Sequence, residues 1–156
     1  MEKLLRSLAT DFPQFSFVAG KSCVWSPLQR QVTYVPIDSP RNKWGMLHEL
    51  GHALLDHQNF SSDADLLRKE VQAWTEADSL AATYGLHVPQ SHVQDCLDTY
   101  RDWLHKRSTC PACGSHGLQE QPSLTYHCPN CYKEWRVSSS RLCRPYRLAA
   151  PKNRAA

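Results

Sequence analysis

Residues 44–57, WGMLHELGHALLDH, carry the reading on which the fold turns. Met46, Leu47, Leu50, Ala53 and Leu54 recur at helical spacing, Ser39 stands where a side-chain oxygen can cap a first turn, and Pro40 is tolerated there, so the stretch reads as a helix. Helical residues four apart lie one above the other, about 6 Å apart, so His48 and His52 direct two imidazoles toward one point. Two neutral imidazole nitrogens converging in that way make half of a tetrahedral zinc site. Glu49 follows the first histidine, close enough to touch a water on such a metal without ligating it, which is the position of a general base. A satisfied pair of core histidines would show the same spacing, so the reading needs a third ligand.

Downstream, residues 61–84 form a second helical pattern, with Ser61 and Ser62 as cap candidates and Gly85 as its stop. Leu66, Leu67, Val71, Ala73, Trp74, Ala77, Leu80 and Ala81 mark its buried face, and Glu70 shares a stripe with Ala73 and Ala77. A carboxylate on a tightly packed face needs a partner, because an unpaired buried charge is expensive. Arg68, Lys69 or open water would serve, and so would a metal ion. His57 stands five positions after His52, and at about 100° per residue it points off the shared face for as long as the helix continues, so it is rejected as a ligand. Glu70 and Glu76 remain as candidates for the third ligand.

Upstream, residues 1–10 form a short amphipathic helix with Leu4, Leu5 and Leu8 inward, and residues 15–19, 22–27 and 31–36 are strand candidates separated by proline and glycine. The simplest assembly is a small antiparallel sheet packed ahead of the His48 helix, with Cys23 and Trp25 inside it. Arg6 and Asp11 interrupt the first twelve residues, and no run of about 18 apolar residues occurs, which predicts neither a signal peptide nor a membrane span. Residues 91–106 form a third helix with Val93, Leu97, Tyr100 and Leu104 at helical spacing.

From residue 109 the composition changes. Cys110-Pro-Ala-Cys113 and Cys128-Pro-Asn-Cys131 are separated by fourteen residues, the pattern of two zinc knuckles. With strand candidates at 124–126 and 134–137 they predict a zinc ribbon whose four thiolates fill a tetrahedron, leaving nearby His116 and His127 without a role. So short a segment cannot bury a core alone, so the metal supplies its folding energy. Seven cysteines, four of them in C-x-x-C pairs, favour metal thiolates in a reducing compartment, and the expected location is cytoplasmic. The net charge of +3 divides unevenly: residues 1–131 carry a balance of −3, and residues 132–156 carry +6, with Arg141, Arg144 and Arg147 in the tail. The expected organisation is therefore a domain over 1–108, a ribbon over 109–137 and a basic C-terminal tail over 138–156.

The run HELGHALLDH, followed by Glu70-Val-Gln-Ala73-Trp-Thr-Glu-Ala77, resembles the ImmA/IrrE group of metallopeptidases, gluzincins whose second motif reads roughly E-x-x-A-N-x-F-A. The likeness covers about residues 15–90, and Trp74 and Glu76 stand where asparagine and phenylalanine are usual. It implies an α+β fold of a short antiparallel sheet with an HExxH helix and a ligand helix. It also implies His48, His52 and Glu70 as ligands of a catalytic zinc, with Glu49 as acid and base. An HExxH domain with a C-terminal ribbon also looks like SprT-type peptidases, which act on DNA-bound proteins but take a third histidine well downstream.

The expected protein is a zinc-dependent endopeptidase with one catalytic and one structural zinc, acting on a protein or peptide substrate and without membrane contact. Members of the resembled group often cleave repressors, which implies a regulatory protease of a DNA-binding protein. An edge strand near residues 31–36 could hold the substrate by strand addition, and Tyr84, His87 and His105 are candidate oxyanion donors. The rival from another class is a non-catalytic module whose ribbon and basic tail bind nucleic acid or protein.

Overall fold

The computed structural model describes residues 1–139 and 148–149; apart from residues 138, 139, 148 and 149, the expected basic tail, with Arg141, Arg144 and Arg147, lies outside them. The described residues form four helices and two small sheets, an α+β arrangement. They divide into two compact units, one of Met1–Asn59 with Arg68–Gln94 and one of Phe60–Leu67 with the chain from Asp95 onward.

In the first unit, α1 (Glu2–Asp11) buries Leu4 and Leu8. Strands β1 (Ser16–Ala19), β2 (Val24–Ser26) and β3 (Gln31–Tyr34) follow, in the sheet order β1-β3-β2. The sheet is mixed, which corrects the antiparallel sheet expected above: β2 and β3 form a hairpin with Trp25 opposite Val32, but β1 runs parallel to β3 with Phe17 opposite Val32. The reason lies in the connection at residues 20–23. It reverses the chain but carries β2 one strand-width beyond β1, and β3 returns through the gap between them. Residues 31–34 are therefore the central strand, hydrogen-bonded on both sides, and cannot add a substrate strand; the open edges belong to β1 and β2.

Helix α2 (Pro40–Leu54) packs on β2 and β3. Ser39 Oγ accepts from the Asn42 amide at 3.2 Å, satisfying one of the donors that a helix start leaves open, and Pro40 occupies the first turn. Met46, Leu47 and Leu50 are fully buried. The helix ends at Leu54, short of His57, because Asp56 adopts a left-handed φ of 50° and turns the chain back.

Helix α3 (Asp63–Thr83) begins after Ser62, whose Oγ accepts from the Asp65 amide at 3.1 Å. Within the first unit it buries Ala73, Trp74, Ala77, Leu80 and Ala81, and the chain leaves it through Gly85 at a φ of 65°. Helix α4 (Gln90–Ser108) buries Val93 in the first unit and Leu97, Trp103 and Arg107 in the second.

The second unit holds an antiparallel sheet of β4 (Leu118–Gln119), β5 (Thr125–His127), β6 (Glu134–Arg136) and β7 (Leu148–Ala149), in that order. Tyr126 and Trp135 face each other across β5 and β6 with rings 5.5 Å apart, and Cys110, Cys128 and Val137 complete a small core with Leu124 at its margin. The unit reaches beyond residues 109–137 because a buried polar network ties the helical segments into it. Asp63 accepts from Arg107 Nε at 2.6 Å and Nη2 at 3.2 Å and from the Tyr126 hydroxyl at 2.6 Å, while Trp135 Nε1 donates to the Arg107 carbonyl at 2.9 Å. Burial and the Asp63 carboxylate hold the Tyr126 hydroxyl protonated well above the usual phenol range.

Candidate metal centres

Two groups of side chains among the described residues converge so that one ion could be held by each. The first lies between α2 and α3. Gly51 is the contact that allows it: a Cβ built there would stand 2.6 Å from the Ala73 carbonyl oxygen, so only glycine lets the two helices approach this closely. Ala73 lies one turn after Glu70, and Gly51 lies between His48 and His52 in register. The spacing of H-E-x-G-H and E-x-x-A is thus one packing requirement written on two helices.

The result is a buried triangle of donors. His48 Nε2 and His52 Nε2 are 3.2 Å apart, and Glu70 Oε2 lies 3.2 Å from the first and 3.6 Å from the second. A tetrahedral ion such as zinc, with bonds of about 2.05 Å, needs donor-to-donor edges of about 3.3 Å. Burial would raise the carboxyl of Glu70, which is 1% exposed, but its hydrogen bonds to the two imidazoles outweigh that and hold it well below the usual carboxylate range. Each neutral imidazole has one N–H and one bare nitrogen, so the two Nε2 atoms can donate to the carboxylate when they carry the proton and act as ligands beside it when they do not. A single metal ion among them would satisfy all three at once in the second arrangement. Three protein donors would leave a fourth position of a tetrahedral ion unfilled by the protein.

The surroundings orient the donors by unlike means. The His48 ring stacks on Trp74 with centroids 4.2 Å apart and planes 26° apart, and its buried Nδ1 has no hydrogen-bond partner among the described residues. Trp74 is braced in turn by His92, edge-on at 5.5 Å, which also meets Trp44 at 4.8 Å. The His52 Nδ1 lies 2.9 Å from His57 Nδ1. Burial is the main cause that lowers the His57 pKa, followed by the charge of His52. Glu49 Oε2 accepts from the backbone amide of Trp25 at 2.8 Å, so β2 fixes the carboxylate that follows His48.

Glu76 lies on α3 beside Gly51 and outside the donor group. The Tyr84 hydroxyl donates to Asp11 Oδ2 at 2.7 Å; burial and that carboxylate push it up to about 12. His87 is exposed, and His105 belongs to the second unit, where its ring meets His116 at 4.7 Å. The contacts of His57, Trp74 and Trp25 escaped the sequence reading. The Asp56 that ends α2 is the one signal that could have exposed the first, since aspartate tolerates the left-handed turn that brings His57 back.

The second group is the four cysteines. Cys110 and Cys131 sulfurs are 3.6 Å apart and those of Cys113 and Cys128 3.5 Å, near the edge of about 3.8 Å that Zn–S bonds of about 2.3 Å require. The two knuckles repeat one another: Gly114 N donates to the Cys110 carbonyl and Tyr132 N to the Cys128 carbonyl, each at 3.0 Å. Backbone amides also approach the sulfurs, Ala112 N at 3.4 Å from Cys110 and Cys131 N at 3.5 Å from Cys128. The Ser115 amide and hydroxyl lead the causes that pull the Cys113 thiol down to about 5. At Cys131 the Lys133 amide acts in the same direction, but burial and the three neighbouring sulfurs prevail and push it up to about 12. A cation among the four sulfurs would let all of them be thiolates together. His116 and His127 stand outside the group, and all six described cysteines are free of disulfides.

Among the described residues no helix is long and apolar enough to cross a membrane. No protein-family model matches the chain, and comparison with curated proteins and with solved structures returns no match.

Proposed function

We propose that the chain is a zinc-dependent endopeptidase of the gluzincin kind, with one zinc held by His48, His52 and Glu70 and a structural zinc held by Cys110, Cys113, Cys128 and Cys131. The observation that carries the reading is the buried triangle of three donors with spare coordination, next in sequence to a carboxylate that ligates nothing. Zinc bound there would polarise a peptide carbonyl and lower the pKa of a bound water toward about 7. Glu49, held by the Trp25 amide, takes the proton from the attacking water and returns it to the leaving amine.

The substrate class follows the ImmA/IrrE resemblance: a cellular protein, with a DNA-binding repressor first, cut by a regulatory protease. A SprT-type reading fits less well, since the third donor that converges is a glutamate and not a histidine. Free cysteines and two thiolate knuckles agree with a reducing, cytoplasmic setting.

The experiment is Glu49→Gln in the full chain. It should keep the fold and both zinc ions while lowering cleavage of the cellular target by at least about 100-fold, because only the base is lost. The readout is a comparison of intact protein levels in cells carrying wild type or variant. A Glu49→Gln strain that behaves as wild type, where deletion of the whole gene has a phenotype, would favour the binding module instead.

A further inference from the structure

We propose that His57 is a positioning residue for the first metal centre: its Nδ1 accepts the Nδ1 proton of His52 and thereby keeps His52 Nε2 unprotonated and aimed at the ion. The inference rests on the reading of His48, His52 and Glu70 as a zinc site and adds a residue that the HExxH pattern does not contain.

The proton positions follow from the geometry. His52 Nε2 belongs to the donor triangle, 3.2 Å from His48 Nε2, and can ligate only without a proton. The neutral ring then carries its proton on Nδ1, which faces His57 Nδ1 at 2.9 Å, so the His57 nitrogen must be the acceptor. His57 in turn carries its own proton on Nε2; the Gln72 side chain hydrogen-bonds to the ring, and Lys69 and Glu70 act on it by charge. Ligating histidines as a rule donate their second nitrogen to a fixed acceptor, most often a carboxylate or a carbonyl. Here a second imidazole fills that place.

The chain is shaped to bring it there. Asp56 at a φ of 50° ends α2, the His57 amide donates to the His52 carbonyl at 2.9 Å, and Trp25 Nε1 donates to the His57 carbonyl at 3.0 Å. These contacts hold the backbone of residue 57 whatever its side chain, so the imidazole is separable from the fold. The contrast with His48 sharpens the point. His48 is oriented by stacking on Trp74 and has no partner at Nδ1 among the described residues, so there the hydrogen bond that fixes a tautomer falls on His52.

The test compares His57→Phe and His57→Asn in the full chain, with zinc affinity measured by chelator competition and the ribbon zinc as internal reference. His57→Phe keeps the backbone contacts and removes the acceptor; it should weaken the first site by about 10- to 100-fold and leave the ribbon ion unchanged. His57→Asn sets an amide oxygen near the position of Nδ1 and should restore most of the affinity, which a space-filling role would not predict. On the zinc-loaded wild type, imidazole ¹⁵N NMR should find the His52 proton on Nδ1, slow to exchange. A proton on His52 Nε2, or equal affinity in His57→Phe and wild type, overturns the proposal, and the NMR result decides if His57→Phe does not fold. A chain that takes up one zinc only, at the ribbon, overturns the site reading and this inference with it. Two ions with His57→Phe unchanged overturn the inference alone.

Discussion

In the ribbon all four donors come from one segment, residues 110–131, presented by two turns that repeat each other's backbone hydrogen bonds. In the first unit the donors come from two helices, and nothing local holds Glu70 near His48; a core of Met46, Leu47, Leu50, Ala73 and Ala77 does. The four cysteines would fill a tetrahedral ion's positions, with Cys113 and Cys131 at the surface, whereas His48 is 8% exposed, Glu70 1%, and their group would leave one position open. A metal that folds a segment can gather its own ligands. On the proposed function, a metal that does chemistry would need ligands already placed, and the helix packing that places them is the cost.

That comparison can be broken at three points, and the largest effect is expected where the ribbon's unit depends on more than metal. Asp63→Asn leaves Arg107 buried without its counter-charge and deprives the Tyr126 hydroxyl of an ionised acceptor. Removing one partner of such a buried pair costs about 3–5 kcal/mol, to be read as lost stability of the second unit in urea unfolding followed by tryptophan fluorescence. A loss below about 1 kcal/mol would mean that the thiolate cluster alone holds the unit. The second point is Gly51→Val, which drives side-chain atoms against the Ala73 carbonyl. It should cost about 1–3 kcal/mol and empty the first site while the ribbon keeps its zinc; retention of both ions would show that the helix approach does not set the donor triangle.

How much of this was legible follows the same division. The ribbon could be read from spacing because its ligands are neighbours in the chain. So could α2, since Ser39, Pro40 and the apolar stripe all act within one helix. Glu70 was harder: burial on an alanine-rich face marked it, but Glu76 stayed open until the resemblance chose between them. The parallel pairing of β1 with β3 was not legible, because strand order depends on where the connection at residues 20–23 lands and not on any strand's composition. His57 was rejected as a ligand on a helix assumed to continue, whereas the helix stops at Leu54 and the residue returns to touch His52 instead. No sequence signal marks Asp63 or Arg107, and only the tertiary structure pairs them.

The smallest effect concerns the two knuckles. Gly114 and Tyr132 occupy equivalent positions at φ of 77° and 59°, and Tyr132 is 86% exposed, so it bears the left-handed strain without packing in return. Tyr132→Gly should stabilise the zinc-loaded ribbon by roughly 1 kcal/mol in denaturant unfolding, and a destabilisation would show that the tyrosine ring makes a contact of value.

The central claim, that one chain holds two metals by two different means, is tested most directly by elemental analysis of purified protein. Wild type should contain two zinc ions per chain. His48→Ala and Cys110→Ser should each contain one, His48→Ala retaining a folded ribbon and Cys110→Ser losing it. A fully metallated wild type with a single zinc, unchanged by His48→Ala, would contradict the account.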